Sequence, residues 1–238
     1  MKYRPSYPAA VVDYLVAAGI LTAESVVADI GSGTGLLTEL FVGRGNVVYG
    51  VEPNAEMRAA GEAFLSGREN FRSICGTAEA TTLEGGSIDL IIAGQAFHWF
   101  DRTKAREEFV RVLKGGGHVA LIWNERLDNT PFLRAYEEVV KAFSLDYSRV
   151  DHRQITESVV ADFFSPSAVS VGRFANQQVF DREGLEGRLR SSSYMPEEGD
   201  VKFEQMMRQV REIFAAHAED GRVRINYETK MYVGQLKA

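Results

Sequence analysis

The sequence predicts an α/β fold built on a doubly wound, largely parallel sheet. Three observations carry this. Short apolar runs alternate with helix-like segments through the first half of the chain. Those runs are nearly continuous rather than alternating, as strands buried on both faces require. A glycine-rich turn follows the first run directly, at the strand-to-helix junction where open α/β sheets bind ligands.

The elements follow in order. Pro8 suits the first turn of a helix running to Ala18, which Gly19 stops; Val12, Leu15 and Val16 form its apolar face. Val26–Ile30 is the first strand, and Leu36, Leu37, Leu40 and Phe41 mark the helix after it. Val47–Val51 is the second strand; Asn54 can cap a helix carrying Met57, Ala60 and Phe64 on one side. Phe71–Cys75 and Ile88–Ile92 are the third and fourth strands. Asp101 can cap a helix facing inward with Ala105, Phe109, Val112 and Leu113, ended by Gly115–Gly117. His118–Trp123 is the fifth strand. Repeated strand–helix units with right-handed crossovers give the doubly wound architecture.

The second half breaks this rhythm. Thr130-Pro131 reads as a helix start, with Leu133, Tyr136, Val140 and Phe143 on one face. Residues 144–167 read as polar and irregular, with Pro166 as a breaker. Residues 168–180 and 222–233 read as strands, the latter with β-branched or aromatic residues on alternate positions. Between them, 200–217 reads as a helix with a stripe of Phe203, Met206, Met207, Val210 and Phe214. The expectation is one domain over 1–238: an N-terminal segment and helix (1–25), a ligand-binding half (26–124), an insertion (125–167), and C-terminal strands and helix (168–238).

Composition excludes several classes. The 238 residues carry a formal net charge of -6, with 45% hydrophobic and 25% charged residues. That is ordinary for a soluble domain and lacks the basic surface of a nucleic-acid binder. No apolar run approaches the roughly 18 residues that span a membrane, and residues 1–8 lack a signal-peptide core. The single cysteine, Cys75, cannot form an internal disulfide. These features predict a cytoplasmic protein, with Cys75 as a small buried thiol. The four histidines show no metal-site spacing, so no metal is expected. Oligomeric state is not readable.

The turn itself is Asp29-Ile-Gly-Ser-Gly-Thr-Gly35. Gly31, Gly33 and Gly35 allow a tight bend and let a ligand lie on bare peptide. Dinucleotide sites space their third glycine one residue later; Leu36 stands there instead. The Gly-Lys-Ser/Thr of a P-loop is absent. Asp29, an acid one step inside the strand end, suits an ammonium group better than a pyrophosphate.

Residues 26–35 resemble motif I of class I S-adenosylmethionine-dependent methyltransferases, and four further landmarks follow in the same order. Glu52-Pro53-Asn54 with Met57 resembles the ribose- and adenine-binding strand end. Gly76-Thr77-Ala78-Glu79 resembles the adenine-edge loop. Ile88–Phe100 resembles motif IV of small-molecule enzymes, and Leu113–Asn124 the last motif. The similarity spans at least 26–124. The opening Tyr3-Arg-Pro-Ser-Tyr-Pro8 and the late Ser191–Pro196 resemble the type-11 subgroup akin to trans-aconitate methyltransferase. The family implies a Rossmann-like, seven-stranded sheet in the order 3-2-1-4-5-7-6 with the last strand antiparallel.

The resemblance also implies a site. Asp29, Gly31, Ser32, Gly33, Gly35, Glu52, Pro53, Met57, Thr77, Ala78, Glu79, Gln95 and Ala96 would bind S-adenosyl-L-methionine, leaving S-adenosyl-L-homocysteine as product. Glu52 would accept hydrogen bonds from both ribose hydroxyls, as charged acceptors do well. Tyr3, Arg4 and Tyr7 would fold over the pocket, with Arg4 as a carboxylate clamp. Trp99, Arg190 and Tyr194 are further acceptor-contact candidates; an aromatic face such as that of Trp99 attracts the cationic sulfonium. His98 stands as a candidate general base or acceptor-binding group. The plainer reading makes it part of an aromatic wall with Phe97, Trp99 and Phe100.

The expected function is methyl transfer to a small molecule, O-methylation of a carboxylate or hydroxyl first and C-methylation second. The Asn-Pro-Pro-Tyr/Phe motif used on planar amines is replaced by Gly94-Gln-Ala-Phe97. A non-catalytic cofactor-binding protein remains an alternative, and a dinucleotide oxidoreductase is disfavoured by Asp29 and Leu36. Neither nucleic acid nor membrane is an expected partner.

Overall fold

A computed structural model describes residues 3–144, 155–192 and 194–237. Seven strands form one sheet in the order β3-β2-β1-β4-β5-β7-β6, with the last strand antiparallel. The strands are β1 Val26–Ile30, β2 Val47–Val51, β3 Phe71–Ile74, β4 Ile88–Gly94, β5 Leu113–Arg126, β6 Val169–Phe180 and β7 Val223–Gln235. The helices are α1 Ala10–Ala17, α2 Thr38–Arg44, α3 Ala55–Phe64, α4 Arg102–Val112, α5 Pro131–Phe143, α6 Glu157–Phe164, α7 Arg182–Arg190 and α8 Phe203–His217, with a 3-10 turn at Phe97–Trp99. β1 to β5 pair in parallel through β3-β2-β1-β4-β5, which sets their carboxyl ends on one edge.

By internal contacts the chain divides into two compact units. The larger holds Ser6–Asn124, Ile155–Phe174 and Thr229–Ala238; the smaller holds Met1–Pro5, Glu125–Gln154 and Ala175–Glu228. Segment 125–167 is therefore shared between them, its α5 in the smaller and its α6 in the larger.

In the larger unit, period-2 alternation of the strands feeds two apolar layers. Ala28, Ile30, Ile91, Val119, Leu121 and Trp123 pack on one side with α4 and α6. Val27, Leu90, Ile92, Ala120 and Ile122 pack on the other with α1 and α2. This is what near-continuous apolar strands accomplish. In the smaller unit, α5, α7 and α8 enclose Leu133, Tyr136, Leu185, Leu189, Met206, Val210 and Ile225. Among the described residues no helix is long and apolar enough to cross a membrane, and no group of ligating side chains is placed to hold a metal.

The caps at Asn54, Asp101 and Thr130 form as read: each side chain accepts the N–H of Met57, Lys104 and Leu133 respectively. Several expectations need correction. Residues 157–164 are not irregular. Thr156 caps α6 by accepting the Val159 N–H, and Val160, Phe163 and Phe164 bury its face. Residues 145–154 of the same stretch lie outside the described residues. Helix α7 was not anticipated; Asp181 starts it by accepting the Gly184 N–H at 2.7 Å. Gly115–Gly117 do not end α4. That helix stops at Val112, because Leu113 is already extended and pairs with Ile88. Phe64 is 42% exposed; Gly61 is the buried residue of α3. Cys75 is exposed rather than buried, since β3 ends at Ile74 and leaves it in the following loop.

Candidate functional site

The bend after β1 is shaped by three left-handed residues, with φ of 71° at Gly31, 55° at Gly33 and 85° at Gly35. Any side chain there is strained, by about 1–2 kcal/mol. Space is also missing. A Cβ on Gly31 would lie 2.6 Å from the Ala96 Cβ, and one on Gly33 would lie 3.1 Å from the Met57 Cε. The bend is thus bounded by the turn after β4 on one side and by α3 on the other. The Gly31 and Ser32 N–H groups donate to the Val51 carbonyl at 2.9 and 3.2 Å, tying the bend to the end of β2.

Glu52 completes that tie. It is only 7% exposed. Its Oε2 accepts the Gly33 N–H and its Oε1 accepts the Asn54 N–H, each at 2.9 Å. Each carboxylate oxygen has room for a second donor, so this side chain can grip a diol while it holds the bend. Arg58 donates from Nη1 to the Glu52 carbonyl at 3.0 Å. Pro53 lies exposed beside it.

Asp29 sits beneath the bend and is 1% exposed. Its Oδ2 accepts the Thr38 hydroxyl at 2.6 Å, while Oδ1 is buried with no hydrogen-bond partner. Burial raises the carboxyl from 3.8 to about 7; the Thr38 hydroxyl opposes the rise, and the negative charge of Glu52 adds to it. A buried acceptor oxygen left open beside a bare-peptide bend is a place for a donor, and a cationic one would restore the ionised form.

The loops after β3 and β4 close the same edge. Thr77 and Ala80 pair as an antiparallel bridge around Ala78, which is buried. Thr77 itself is exposed. Glu79 accepts the Asp101 N–H at 2.8 Å, so one of its oxygens anchors the start of α4. Gln95 adopts a left-handed φ of 55°; its N–H donates to Ile122 and its amide Nε2 to the Asn124 carbonyl. Ala96 is buried against Gly31. His98 is half-buried on the 3-10 turn, its ring 4.7 Å from that of Trp99. Trp99 is 75% exposed, whereas Phe97 turns into the core against Phe163 and Trp123. The expected aromatic wall is therefore not formed by Phe97. Tyr7 is buried, its hydroxyl lying where a Cβ on Gly94 would clash at 2.6 Å.

The comparisons with known proteins fall on these same elements. A methyltransferase-domain family model matches residues 28–121. A relative from Geobacillus kaustophilus, described as an uncharacterized methyltransferase, is 31% identical over 172 residues, covering 66% of this chain and 74% of its own. The chain belongs to the class I methyltransferase family. A methyltransferase of Mycobacterium tuberculosis, also described as uncharacterized, is 38% identical over 137 residues, 58% of this chain and 54% of its own. The chain thus spans about half the length of the first curated relatives it matches. At the level of fold, a solved structure from Anaeromyxobacter dehalogenans assigned to type II methyltransferases superposes with TM-score 0.76 at 18% identity, covering 99% and 100% of the two chains. A Haemonchus contortus phosphoethanolamine N-methyltransferase, solved with phosphomonomethylethanolamine and S-adenosylhomocysteine, gives TM-score 0.52 at 16% identity over 95% and 52%.

The remaining candidates of this methyltransferase belong to the smaller unit. Tyr3 lies against α7, where a Cβ on Gly187 would meet its ring at 2.4 Å. Arg4 is exposed. Arg190 is half-exposed, 3.8 Å from Glu186 and over the Phe203 ring. Tyr194 is half-buried beside Arg126, Tyr136 and Arg188. Arg126 and Arg188, the charged members of that group, escaped the sequence reading.

Proposed function

We propose that this protein transfers a methyl group from S-adenosyl-L-methionine to a small organic acceptor, releasing S-adenosyl-L-homocysteine. The observation that carries the reading is the Glu52 carboxylate, fixed at the end of β2 by the Gly33 and Asn54 N–H groups at 2.9 Å. A strand-end carboxylate prepositioned against a glycine bend matches a ribose diol, and the open Asp29 Oδ1 matches the ammonium of the methionine moiety. The residues present therefore fit this cofactor. Gly31, Ser32, Gly33 and Gly35 would support its amino-acid portion. Met57, Pro53 and the Thr77–Glu79 loop would flank its adenine, and Gln95 and Ala96 would border its sulfur end.

When bound, the cofactor supplies a methyl already activated by positive sulfur. The protein's own task is then placement, which can lower a barrier by about 7–11 kcal/mol. A carboxylate acceptor needs no base. A hydroxyl or carbon acid does, and His98 on the 3-10 turn is the group we assign to it. O-methylation is the first reading and C-methylation the second.

The test is turnover. Incubation with S-adenosylmethionine and a panel of small organic and hydroxylated acids should give acceptor-dependent S-adenosylhomocysteine. Cofactor uptake without product for every acceptor would reduce the protein to a cofactor-binding module.

A further inference from the structure

The smaller unit contains a cluster that the cofactor site does not use. Arg126 ends β5, Tyr136 lies on α5, Arg188 on α7 and Tyr227 on β7. Tyr136 and Tyr227 are buried, and Tyr194 is half-buried. The Arg126 guanidinium stands 5.1 Å over the Tyr136 ring and pairs with Glu137; their side chains are only 17% and 15% exposed. Tyr227 donates its hydroxyl hydrogen to Gln178 Oε1 at 3.0 Å.

Arg188 differs from Arg126. Its Nη1 donates to Ser192 Oγ at 2.9 Å, and its Nε is buried with no hydrogen-bond partner. Burial opposes its charged form, and the nearby hydroxyls of Tyr227, Tyr136 and Tyr194 favour it. Burial pushes the Tyr136 hydroxyl up to about 12, so it stays protonated. Among these described residues, two guanidiniums face one carboxylate. A half-buried guanidinium whose Nε is enclosed without an acceptor is costly. The remaining single positive charge, ringed by phenolic hydroxyls, matches one monoanionic, planar group rather than a phosphate dianion.

We propose that the smaller unit binds the carboxylate of an organic acid through Arg188 and Arg126, with Tyr194 and Tyr136 beside it.

Calorimetric titration with succinate and citrate, without cofactor, tests the site; succinamide and inorganic phosphate are the comparison ligands. The proposal expects the acids to bind, the amide to bind at least tenfold more weakly, and Arg188→Met to weaken the acids at least tenfold. Arg188→Lys should weaken them less than Arg188→Met. Arg211→Met, on the surface of the same unit, should leave binding unchanged. Absence of acid binding to the wild-type protein overturns the proposal, as does equal binding of succinamide or phosphate. These wild-type comparisons decide the matter even if Arg188→Met does not fold. S-adenosylhomocysteine titrated into the same samples separates the two readings: its uptake without acid binding sinks only the acid site, and its absence sinks the cofactor site.

Discussion

Gly31 and Ala96 approach so closely that a Cβ on the glycine would lie 2.6 Å from that of the alanine. The bend after β1 and the turn after β4 are therefore fitted to each other through a missing methyl group. Gly31→Ala should cost about 1–2 kcal/mol for the left-handed backbone and a further ~1–3 kcal/mol for overpacking. Gly19 provides the comparison: its φ is 70°, yet a Cβ there would meet nothing within 4 Å. Gly19→Ala should show the backbone cost alone. Chemical denaturation of both variants checks this, and equal losses would refute the fit.

Asp29 predicts a pH dependence of stability. Its carboxyl is raised from 3.8 to about 7 by burial, with Thr38 opposing and Glu52 adding. Below the unfolded value both states are protonated. Between it and about 7 the unfolded chain loses its proton and the folded one keeps it. The group's contribution to stability therefore falls as pH rises through that window, by roughly 4 kcal/mol at most. Asp29→Asn should remove this fall, so the variant gains on the wild type as pH rises from 3.8 to about 7. Urea titrations at several pH values measure it; parallel curves for the two proteins would contradict it.

Glu108 predicts the opposite slope. Arg111 binds its carboxylate from Nε and Nη2, both at 2.7 Å, and the Thr81 N–H donates to it at 2.8 Å. These bonds, the Arg111 side chain foremost, lower it from 4.5 to about 2. Its stabilisation is complete above 4.5 and is lost as pH falls toward 2. Glu108→Gln should destabilise by about 2 kcal/mol at neutral pH and make the acid limb shallower. An unchanged acid limb would show that this carboxylate does not bear on it.

Much of the larger unit is legible in the sequence because its physics is local. Ile88–Ile92 is buried on both faces and so reads as an unbroken apolar run. Gly31, Gly33 and Gly35 stand out because left-handed backbone demands them. Asn54, Asp101 and Thr130 announce helix starts by capping chemistry that needs no tertiary partner. Helix α6 carried the same signal in Thr156, but its apolar stripe is short and follows a polar stretch. Helix α7 buries only Leu185 and Leu189 and contains Gly184 and Gly187, so its periodicity is faint. Gly115–Gly117 look like a helix stop because sequence cannot show that Leu113 already pairs with Ile88. Arg188 and Arg190 are alike on paper. Only its place beside Tyr136 and Tyr227 leaves the first half-buried, while the second lies on the surface.

The central claim is that Glu52, held by Gly33, grips the sugar of a sulfonium nucleoside. Titrating S-adenosylhomocysteine calorimetrically into the wild type and Glu52→Ala tests it most directly. A charged hydrogen bond is worth about 1.5–3 kcal/mol, so the variant should bind about 10- to 100-fold more weakly than a saturable wild type. Equal affinity in the two proteins, or no uptake by either, would contradict the account.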